Sequence, residues 1–340
     1  MKSRILAIAT HLPGGIVSNA DLEAENPDWN MRSVVERAGV ISRHIAAPDE
    51  TAFDLVRQAC DKLPTAMIGK VDAIIFCTQS PDHVMPPNAH LLHDYLELPD
   101  DVAAFDINLA CSGYVYGLAL GHSMIAAGMS RCVLLATGDT YSKYIHPKDR
   151  SARVLFGDGA AVSLLEPSSS GRGFSLFELA SHGKGYTKFY IPAGAHRLPR
   201  SADTAMEIAD CVGNVRTAEH IQMDGLGVWS FINSAVPRQI QKYLKRNRLS
   251  LDAIDLFIFH QASQMTLDSL IKALRVERAK VYFKLEDVGN TVSASIPICL
   301  ADAVRKGRLS PGHQVLLCGF GVGLSYATTL FEYEGDIHVY

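Results

Sequence analysis

The sequence predicts an α/β fold that contains one structural unit twice. Strand-like apolar segments alternate with helical segments along the first half, which is typical of a mostly parallel sheet with helices on its faces. IDLFIFHQAS at 254–263 then repeats VDAIIFCTQS at 71–80. HQVLLCGFG at 313–321 repeats RCVLLATGD at 131–139. Two matches at nearly the same offset rarely arise by chance, so we expect a duplicated unit.

The segments of the first half follow in a regular order. A strand is expected at 4–9, and a turn at 13–15 leads to a helix that begins at Ser18 or Asn19. The remaining expected segments are helices at 31–38, 51–62 and 88–96, and strands at 71–80, 102–108 and 131–139. The strand at 71–80 is apolar throughout, as in a sheet that is buried on both faces.

Two helices are predicted to lie buried at the centre. The first follows Cys111, and Gly113, Gly117 and Gly121 recur along it, so another backbone can come close to its smooth face. The segment 291–306 is its counterpart in the second half. We expect the two helices to pack side by side, with the loops at their N-termini meeting where the halves join.

The repeat divides the chain into residues 1–170, with Cys111, and residues 171–340. The second half carries an irregular insertion near 181–225, in which Gly, Pro, His and Arg are scattered. An insertion of this length in a compact fold is typical of a functional loop or cap.

Composition excludes several classes of function. The formal net charge is -4 with acids and bases mixed along the chain, so no basic field is available for nucleic acid or anionic lipid. The cysteines form no CxxC pair, which favours reduced thiols. No apolar run approaches membrane-spanning or signal-peptide length. We expect a soluble, cytoplasmic protein with no nucleic-acid or membrane partner.

Cys111 is the candidate nucleophile. It lies at or just before the N-terminus of a buried helix, where unpaired N–H groups and the helix dipole favour a thiolate. A cysteine in such a segment is more often a small core side chain. Ala110, Ser112 and Gly113, however, leave space above the sulfur for a substrate.

A cysteine nucleophile needs a proton acceptor or a charge-stabilising group nearby. His260 follows an apolar strand, at the carboxyl end where parallel sheets bind ligands. Asn290 lies in the turn before 291–306, in the mirror position to Cys111. Alone, His260 would be taken for a surface or satisfied core histidine and Asn290 for a turn residue. Their positions in the repeat favour one site with Cys111.

Several motifs together are much more specific. They are the segments 106–113, 156–160 (FGDGA), 260–262 (HQA), 289–297 (GNTVSASIP) and 319–325 (GFGVGLS). With them the chain resembles the β-ketoacyl carrier-protein synthase III family of thiolase-like condensing enzymes over essentially its whole length. The resemblance implies a thiolase-like fold, a duplicated αβαβα architecture of five layers with two buried central helices, and a homodimer.

The resemblance also implies a catalytic triad of Cys111, His260 and Asn290. The family takes an acyl group from a CoA or carrier-protein thioester onto the cysteine and joins it to a malonyl thioester with loss of carbon dioxide. His260 and Asn290 can both donate hydrogen bonds to a thioester carbonyl, which stabilises the enolate that decarboxylation leaves. The backbone N–H groups of Cys111 and Val322 are the expected oxyanion hole for acyl transfer.

A substrate-binding set is implied around the triad. Its members are Arg37, Arg150, Gly225, Trp229, Ala262, Ser263 and Phe320. Met85 lies in a segment that resembles the loop reaching across the dimer to the acyl pocket. No bound cofactor is expected, because CoA or carrier-protein phosphopantetheine thioesters are the substrates. No metal is expected either, because His90 and His93 lack a third ligand at supporting spacing.

Other positions depart from the family pattern. Ser33 stands where the housekeeping synthases carry a tryptophan that stacks on the adenine of CoA, which weakens the case for CoA as donor. Met265 replaces a basic residue that receives the acyl-carrier protein, so carrier docking would use other charges. The nearest basic cluster consists of Lys242, Lys245, Arg246 and Arg248. We interpret the chain as a specialised member of the family.

Two rival functions remain open from the sequence. An acyltransferase on the same scaffold would pass the acyl group of Cys111 to an amine or hydroxyl, with His260 as general base and no release of carbon dioxide. A non-catalytic partner subunit would only shape a heterodimer. Retention of all three polar groups counts against the second rival.

Overall fold

The computed structural model describes residues 2–174 and 176–340. Its strands are β1 (Ser3–His11), β2 (Gly15–Ser18), β3 (Ser42–Ile45), β4 (Ala73–Cys77), β5 (Ala103–Ile107), β6 (Val133–Asp139), β7 (Gly159–Pro167), β8 (Leu176–Ser181), β9 (Phe189–Tyr190), β10 (Ile208–Ala209), β11 (Val215–Arg216), β12 (Gln222–Met223), β13 (Leu256–Phe259), β14 (Gln314–Gly321), β15 (Ser325–Glu332) and β16 (His338–Val339). Its helices are α1 (Asn19–Glu25), α2 (Met31–Ala38), α3 (Ala52–Cys60), α4 (Thr65–Ile68), α5 (Asn88–Tyr95), α6 (Gly113–Ala126), α7 (Arg150–Arg153), α8 (Gly225–Arg246), α9 (Gln264–Leu274) and α10 (Ser295–Arg305).

The helix starts that the sequence predicts near Ser18 and Thr51 are confirmed, and both are capping boxes. The Ser18 hydroxyl accepts the N–H of Asp21, and the Asp21 carboxylate accepts the N–H of Ser18. Thr51 and Asp54 make the same reciprocal pair at the start of α3. These side chains satisfy backbone donors that a helix N-terminus leaves unpaired.

The first sheet has the strand order β16-β1-β7-β6-β4-β5. Its neighbours β16 and β1, β6 and β4, and β4 and β5 are parallel, whereas β7 is antiparallel to both β1 and β6. The alternation of segments does not predict β7. The connection from β6 to β7 contains the one-turn helix α7 and no long crossover helix, so the chain returns antiparallel.

The second sheet has the order β13-β14-β15-β8. Strands β13 and β14 occupy the repeated landmarks of the sequence, and they are parallel neighbours as β4 and β6 are. The following strand is antiparallel in both halves. The predicted duplication is therefore confirmed, but the expectation of mostly parallel strands is wrong for the second sheet, since β15 and β8 also pair antiparallel.

Two helices lie between the sheets. Helix α6 contacts strands of the first sheet and also β14 and β15, while α10 contacts β1, β7 and β13. Helices α3 and α5 cover the outer face of the first sheet, and α8 with α9 covers the second. The result is the predicted five-layer αβαβα arrangement, with side chains of α6 and α10 in one shared apolar core.

The glycines of α6 face the first sheet. A Cβ atom at Gly121 would lie 2.6 Å from the side chain of Leu165, and one at Gly117 would overlap the side chain of Leu135. The close approach predicted from these glycines is therefore to leucine side chains of β6 and β7 and not to another backbone. The helix packs closely against the sheet because leucine side chains fill the space beside these glycines.

The insertion near 181–225 forms a 3₁₀ turn at Gly183–Lys188 and two short antiparallel strand pairs, β9 with β12 and β10 with β11. The proposed division of the chain near residue 170 stays a prediction; β8 begins at Leu176 in the second sheet, and β16 returns to the first. Within residues 2–174 and 176–340, every helix is too short or too polar to cross a membrane.

Candidate active site

Cys111 lies just before α6, after strand β5. Ser112 is the N-cap residue of the helix, and the Cys111 side chain is 4% exposed. Burial, and next the charge of Asp139, raise the pKa of the Cys111 thiol to about 12, although the N–H groups of Val322 and Cys111 oppose the shift. The predicted thiolate is therefore wrong for the resting site, because desolvation of the sulfur outweighs the helix terminus.

Strand β14 of the second half runs directly over Cys111. A Cβ atom at Gly321 would lie 2.8 Å from both Cβ and Sγ of Cys111, and one at Gly319 would lie 2.6 Å from the carbonyl oxygen of Cys111. Glycine at both positions is what lets the two halves meet at the sulfur. Val322, the next residue, packs in the same apolar cluster as Cys111.

His260 follows the last residue of β13 and is 1% exposed. Its N–H donates to the carbonyl oxygen of Cys318, which ties it to β14. The imidazole Nδ1 lies 2.6 Å from Oγ of Ser295, the first residue of α10. Burial lowers the pKa of His260 to about 3, so the imidazole is neutral at physiological pH.

Asn290 is held at three points. Its N–H donates to the carbonyl oxygen of Leu155 (2.8 Å), and its carbonyl oxygen accepts the N–H of Gly157 (3.1 Å). The side-chain Oδ1 accepts the N–H of Val292 at 3.0 Å. This last bond orients the amide, so that its NH₂ group is the end left to donate.

The three candidate catalytic side chains line one cavity of about 780 Å³. The structure thus brings Cys111, His260 and Asn290 together from both halves. The same cavity is lined by most of the predicted binding set, namely Arg37, Gly225, Trp229, Ala262, Ser263 and Phe320. Its walls are mainly apolar, as is usual for a small-molecule site with a few polar groups.

Arg150 lines an adjoining cavity of about 320 Å³. Arg37 and Met265 belong to both cavities, so the second space continues outward from the first. Ser33 lines this outer cavity, at the position where the resemblance implies a tryptophan. A small hydroxyl there leaves no aromatic face for a base to stack on.

The insertion contributes to both cavities. Val212, at the turn between β10 and β11, lines the inner and the outer space, and Phe189 and Met223 line the inner one. The expectation that this region is a functional loop or cap stays a prediction.

Met85 and the basic cluster, the sequence candidates for the acyl pocket and for carrier docking, are not among the residues that line the two cavities. Met85 is 80% exposed and is not among the residues that line the inner cavity of its own chain. In the basic cluster, Lys242 and Arg246 both pair with Glu178, near the C-terminal end of α8. Gly225, at the cavity, begins the same helix, so about 26 Å of helix separates it from Lys242.

Sequence reasoning missed several polar residues around the site. Ser295 lies inside the GNTVSASIP motif, but only the structure shows its hydroxyl against the imidazole of His260. Asp139 ends the apolar strand β6, and its carboxylate accepts the hydroxyl of Ser293 at 2.5 Å. An acidic residue at the carboxyl end of a buried strand was the available signal. Within the described parts of the chain, no group of three or more His, Cys, Asp or Glu side chains could hold a metal ion.

Comparisons with known proteins agree on one family. A family model described as 3-oxoacyl-[acyl-carrier-protein (ACP)] synthase III matches residues 105–185, and the model of its C-terminal part matches residues 244–333. The beta-ketoacyl-[acyl-carrier-protein] synthase III of Rhodopirellula baltica is 33% identical, over 97% of this chain and 98% of that protein.

Solved structures give the same result. A 3-oxoacyl-(acyl-carrier-protein) synthase III crystal structure superposes with a TM-score of 0.95 at 40% identity, covering 98% of this chain and 100% of the other. The 3-oxoacyl-(acyl-carrier protein) synthase of Burkholderia xenovorans has a TM-score of 0.90 at 33% identity, covering 100% and 97%. The thiolase-like fold predicted from the sequence is confirmed.

Proposed function

Because the chain belongs to the 3-oxoacyl-[acyl-carrier-protein] synthase III family, we propose that it is an acyltransferase of the condensing type, which joins an acyl group to a malonyl thioester. The acyl group is first loaded on Cys111 from a CoA or carrier-protein thioester. Decarboxylative Claisen condensation then gives a β-ketoacyl thioester. The observation that carries the proposal is the convergence of one thiol and two neutral hydrogen-bond donors in one apolar cavity.

Loading exchanges one thioester for another. The sulfur of Cys111 attacks the thioester carbonyl of the donor, the bond to the donor sulfur breaks, and the proton of the Cys111 thiol ends on the departing thiol. The negative oxygen of the tetrahedral intermediate is assigned to the N–H groups of Cys111 and Val322. The position of the Val322 N–H, close enough to lower the pKa of Cys111, supports this assignment.

Condensation begins with loss of carbon dioxide from the malonyl thioester. The electron pair of the breaking carbon–carbon bond passes into an enolate, whose oxygen accepts hydrogen bonds from Nε2 of His260 and Nδ2 of Asn290. The enolate carbon attacks the acyl carbonyl on Cys111, and the Cys111 sulfur leaves. A proton from solvent then restores the thiol, which the raised pKa of Cys111 favours.

The state of His260 supports condensation over transfer to an amine or alcohol. Transfer needs a general base, and a histidine whose pKa is lowered to about 3 is a weak one. Asn290 cannot act as a base at ordinary pH, yet it is held at three points with its NH₂ free to donate. Two donors aimed at one carbonyl oxygen are what decarboxylation requires.

Substrate binding is assigned to the two connected cavities. The pantetheine arm occupies the inner cavity, which Trp229 and Phe320 line, and Arg37 and Arg150 receive phosphate groups in the outer one. The distance along α8 argues against Lys242 and its basic neighbours as the carrier-protein contact. A cytoplasmic homodimer, in which Met85 closes the acyl pocket of the partner, completes the proposal; the 80% exposure of Met85 leaves it available for that contact.

The test combines acyl mapping with carbon dioxide release. The purified protein is incubated with short acyl-CoAs or acyl-carrier proteins, digested and searched for the added mass, and then supplied with a malonyl thioester labelled in its free carboxyl group. We expect the acyl group on Cys111 and release of labelled carbon dioxide. Cys111→Ala should lower turnover roughly 10⁴-fold or more.

Cys132→Ala is the matched control, since Cys132 is buried beside β6 and does not line the cavity. An acyl group on Cys77 or Cys318, or turnover that survives in Cys111→Ala, contradicts the assignment. If the wild-type protein is acylated but no malonyl thioester loses carbon dioxide, the transfer reaction replaces condensation.

A further inference from the structure

Val292 has a backbone conformation that valine rarely adopts. Its φ is 52°, in the left-handed region, where a β-branched side chain crowds the backbone. The other non-glycine residues of the described chain with positive φ are Glu97, Arg248 and Arg275, all exposed and unbranched at Cβ. Val292 is fully buried, in the apolar cluster that contains Cys111. Such a conformation persists only where its surroundings enforce it.

The neighbours of Val292 in the chain link it to both the candidate donor and a buried acid. The Val292 N–H donates to Oδ1 of Asn290. The next residue, Ser293, donates its N–H (3.3 Å) and its hydroxyl (2.5 Å) to Oδ2 of Asp139. The strained residue therefore lies between two side-chain anchors.

Asp139 is a carboxylate with an unusual environment. It is 0% exposed, and in the part of the chain that the structure describes no Lys or Arg pairs with it. Its other oxygen accepts the N–H of Gln79 at 2.8 Å and the hydroxyls of Thr78 and Ser80 at 3.2 and 3.5 Å. A buried charge that only neutral donors satisfy is costly, and a fold keeps it more readily where the charge has a task.

We propose that Asp139 is a positioning residue for Asn290: by binding Ser293 it holds Val292 in the left-handed conformation, and the Val292 N–H in turn fixes the amide of Asn290 with its NH₂ group toward the cavity. This inference rests on the proposed function, because it gives Asn290 its role as donor to the enolate. Asp139 itself touches no reacting atom.

The expected consequence separates the two half-reactions. If Asp139 releases Ser293, Val292 relaxes toward negative φ, its N–H leaves Oδ1, and the Asn290 amide is free to rotate. Decarboxylation then loses an oriented donor. Loading of Cys111 does not use that donor, and it is not slowed, because the charge of Asp139 raises the pKa of the Cys111 thiol.

The experiment measures D139N against three residues at position 292. Asn has the shape of Asp, but one of its two side-chain ends is an NH₂ donor. It therefore cannot accept both the Ser293 N–H and the Gln79 N–H, which bind opposite oxygens of Asp139. D139N should lower labelled carbon dioxide release from pre-acylated protein about 100-fold, the size of losing one oxyanion-type donor. Acylation of Cys111, measured by mass, should not fall.

Glycine at position 292 supplies the decisive rescue. Glycine adopts positive φ without crowding. In the V292G background, D139N should therefore lower carbon dioxide release by less than about tenfold. V292A removes most of the same side-chain volume but keeps a Cβ atom, and its background should give an intermediate loss. If the rescue came only from the space left by the valine side chain, D139N would lower release equally in V292A and V292G. If it comes from relief of backbone strain, D139N lowers release less in V292G than in V292A.

S293A offers a milder variant that leaves Asp139 in place, and it should lower release with acylation intact; this variant carries the test if D139N does not fold. Crystal structures of D139N or S293A should show a changed φ at residue 292 and a rotated Asn290 amide. The positioning role is overturned if D139N and S293A release carbon dioxide as fast as the wild-type protein. It is also overturned if D139N lowers release equally with Val, Ala and Gly at position 292. Absence of release by the wild-type protein would instead overturn the proposed function, and the two crystal structures would still decide whether Asp139 orients Asn290.

Discussion

The two halves place different residues at equivalent positions, and each residue supports the opposite half. In the repeat, Asp139 at the end of β6 matches Gly321 at the end of β14. Gly321 leaves space for Cys111, which precedes the central helix of the first half. Asp139 binds Ser293, which precedes the central helix of the second half. The end of β14 carries no side chain, because Cys111 fills that space, whereas the end of β6 carries a carboxylate that binds Ser293.

The loops that these strand ends support differ in the same way. The first loop leads directly into α6 with ordinary backbone angles at the N-cap residue Ser112. The second passes through the left-handed Val292 and a 3₁₀ turn before α10 begins. Strain of this kind costs on the order of 1–3 kcal/mol and is usual at functional sites. The two halves thus share one scaffold, but the first loop places a buried thiol at the cavity wall and the second orients an amide.

Among changes that keep Cys111, the largest effect is expected from removing the donor of the second loop. Asn290→Ala should lower carbon dioxide release from a malonyl thioester by about 10² to 10³, while acylation of Cys111 remains largely intact. His260→Ala should lower release as well, because it removes the second donor to the same oxygen. Release and acylation are measured on the same preparation, by trapped label and by intact mass.

Asn26→Ala is the control, since Asn26 caps α1 by donating to the carbonyl oxygen of Leu22, at a residue that does not line the cavity. If wild-type protein releases no carbon dioxide and Asn290→Ala still passes its acyl group to an amine or alcohol, the assignment of decarboxylation to the second loop is wrong. If Asn290→Ala lowers acylation and carbon dioxide release equally, the claim that Asn290 acts only in release is also contradicted.

The overall fold and the location of the site could be predicted from sequence, because both depend on patterns that the chain repeats. Cys111 and Asn290 precede the two predicted central helices and His260 follows an apolar strand, and the structure places all three at one cavity. Their catalytic roles stay predictions. The pKa of Cys111 could not be predicted, because it depends on burial by β14 and on the charge of Asp139, both remote in sequence.

Strand β7 and the contact between Ser295 and His260 were missed for a related reason. The direction of β7 depends on how the chain returns after β6, which local periodicity does not encode. A serine inside a motif of small residues has many possible partners, and only the packed halves bring its hydroxyl to an imidazole. Long-range polar contacts therefore set the chemistry of a scaffold that short-range patterns predict.

A smaller effect concerns the donor of the acyl group, which approaches through the outer cavity. With Ser33 in place of an aromatic platform, a carrier-bound acyl group should be used better than the same group on CoA. Stacking on an aromatic is worth about 1–3 kcal/mol, so the preference should be roughly tenfold or more in kcat/KM. Ser33→Trp should narrow it by lowering KM for the CoA thioester.

Arg32→Trp is the matched control, because the Arg32 side chain is 91% exposed and does not line the outer cavity. Equal or better kcat/KM with acyl-CoA in the wild-type protein would contradict the prediction. In that case Trp229, which lines the inner cavity, is the residue to test as the alternative platform.

The smallest expected effect is a pH dependence confined to the second loop. Burial raises the pKa of Asp139 to about 6, whereas it lowers the pKa of His260 to about 3 and raises the pKa of Cys111 to about 12. The titratable side chains that face Asp139 are Cys77, Cys111, Tyr141 and Tyr144, and burial raises the pKa of each, so all stay protonated between pH 4.5 and about 8.

Only Asp139 among these groups changes charge in that window, and it gains a proton as the pH falls. The protonated carboxyl accepts fewer hydrogen bonds, so Ser293 and then Asn290 lose their anchor. Release of carbon dioxide by pre-acylated protein should therefore fall by about half at pH 6 and roughly tenfold at pH 5, measured in single turnover. D139N, which has no carboxyl to titrate, should give a flat profile at its lower rate. The prediction is contradicted if the rate of release by the wild-type protein stays constant down to pH 5, or if D139N keeps the same inflection. Either result would mean that the charge of Asp139 does not control the orientation of Asn290, and that the two strand ends differ only in packing.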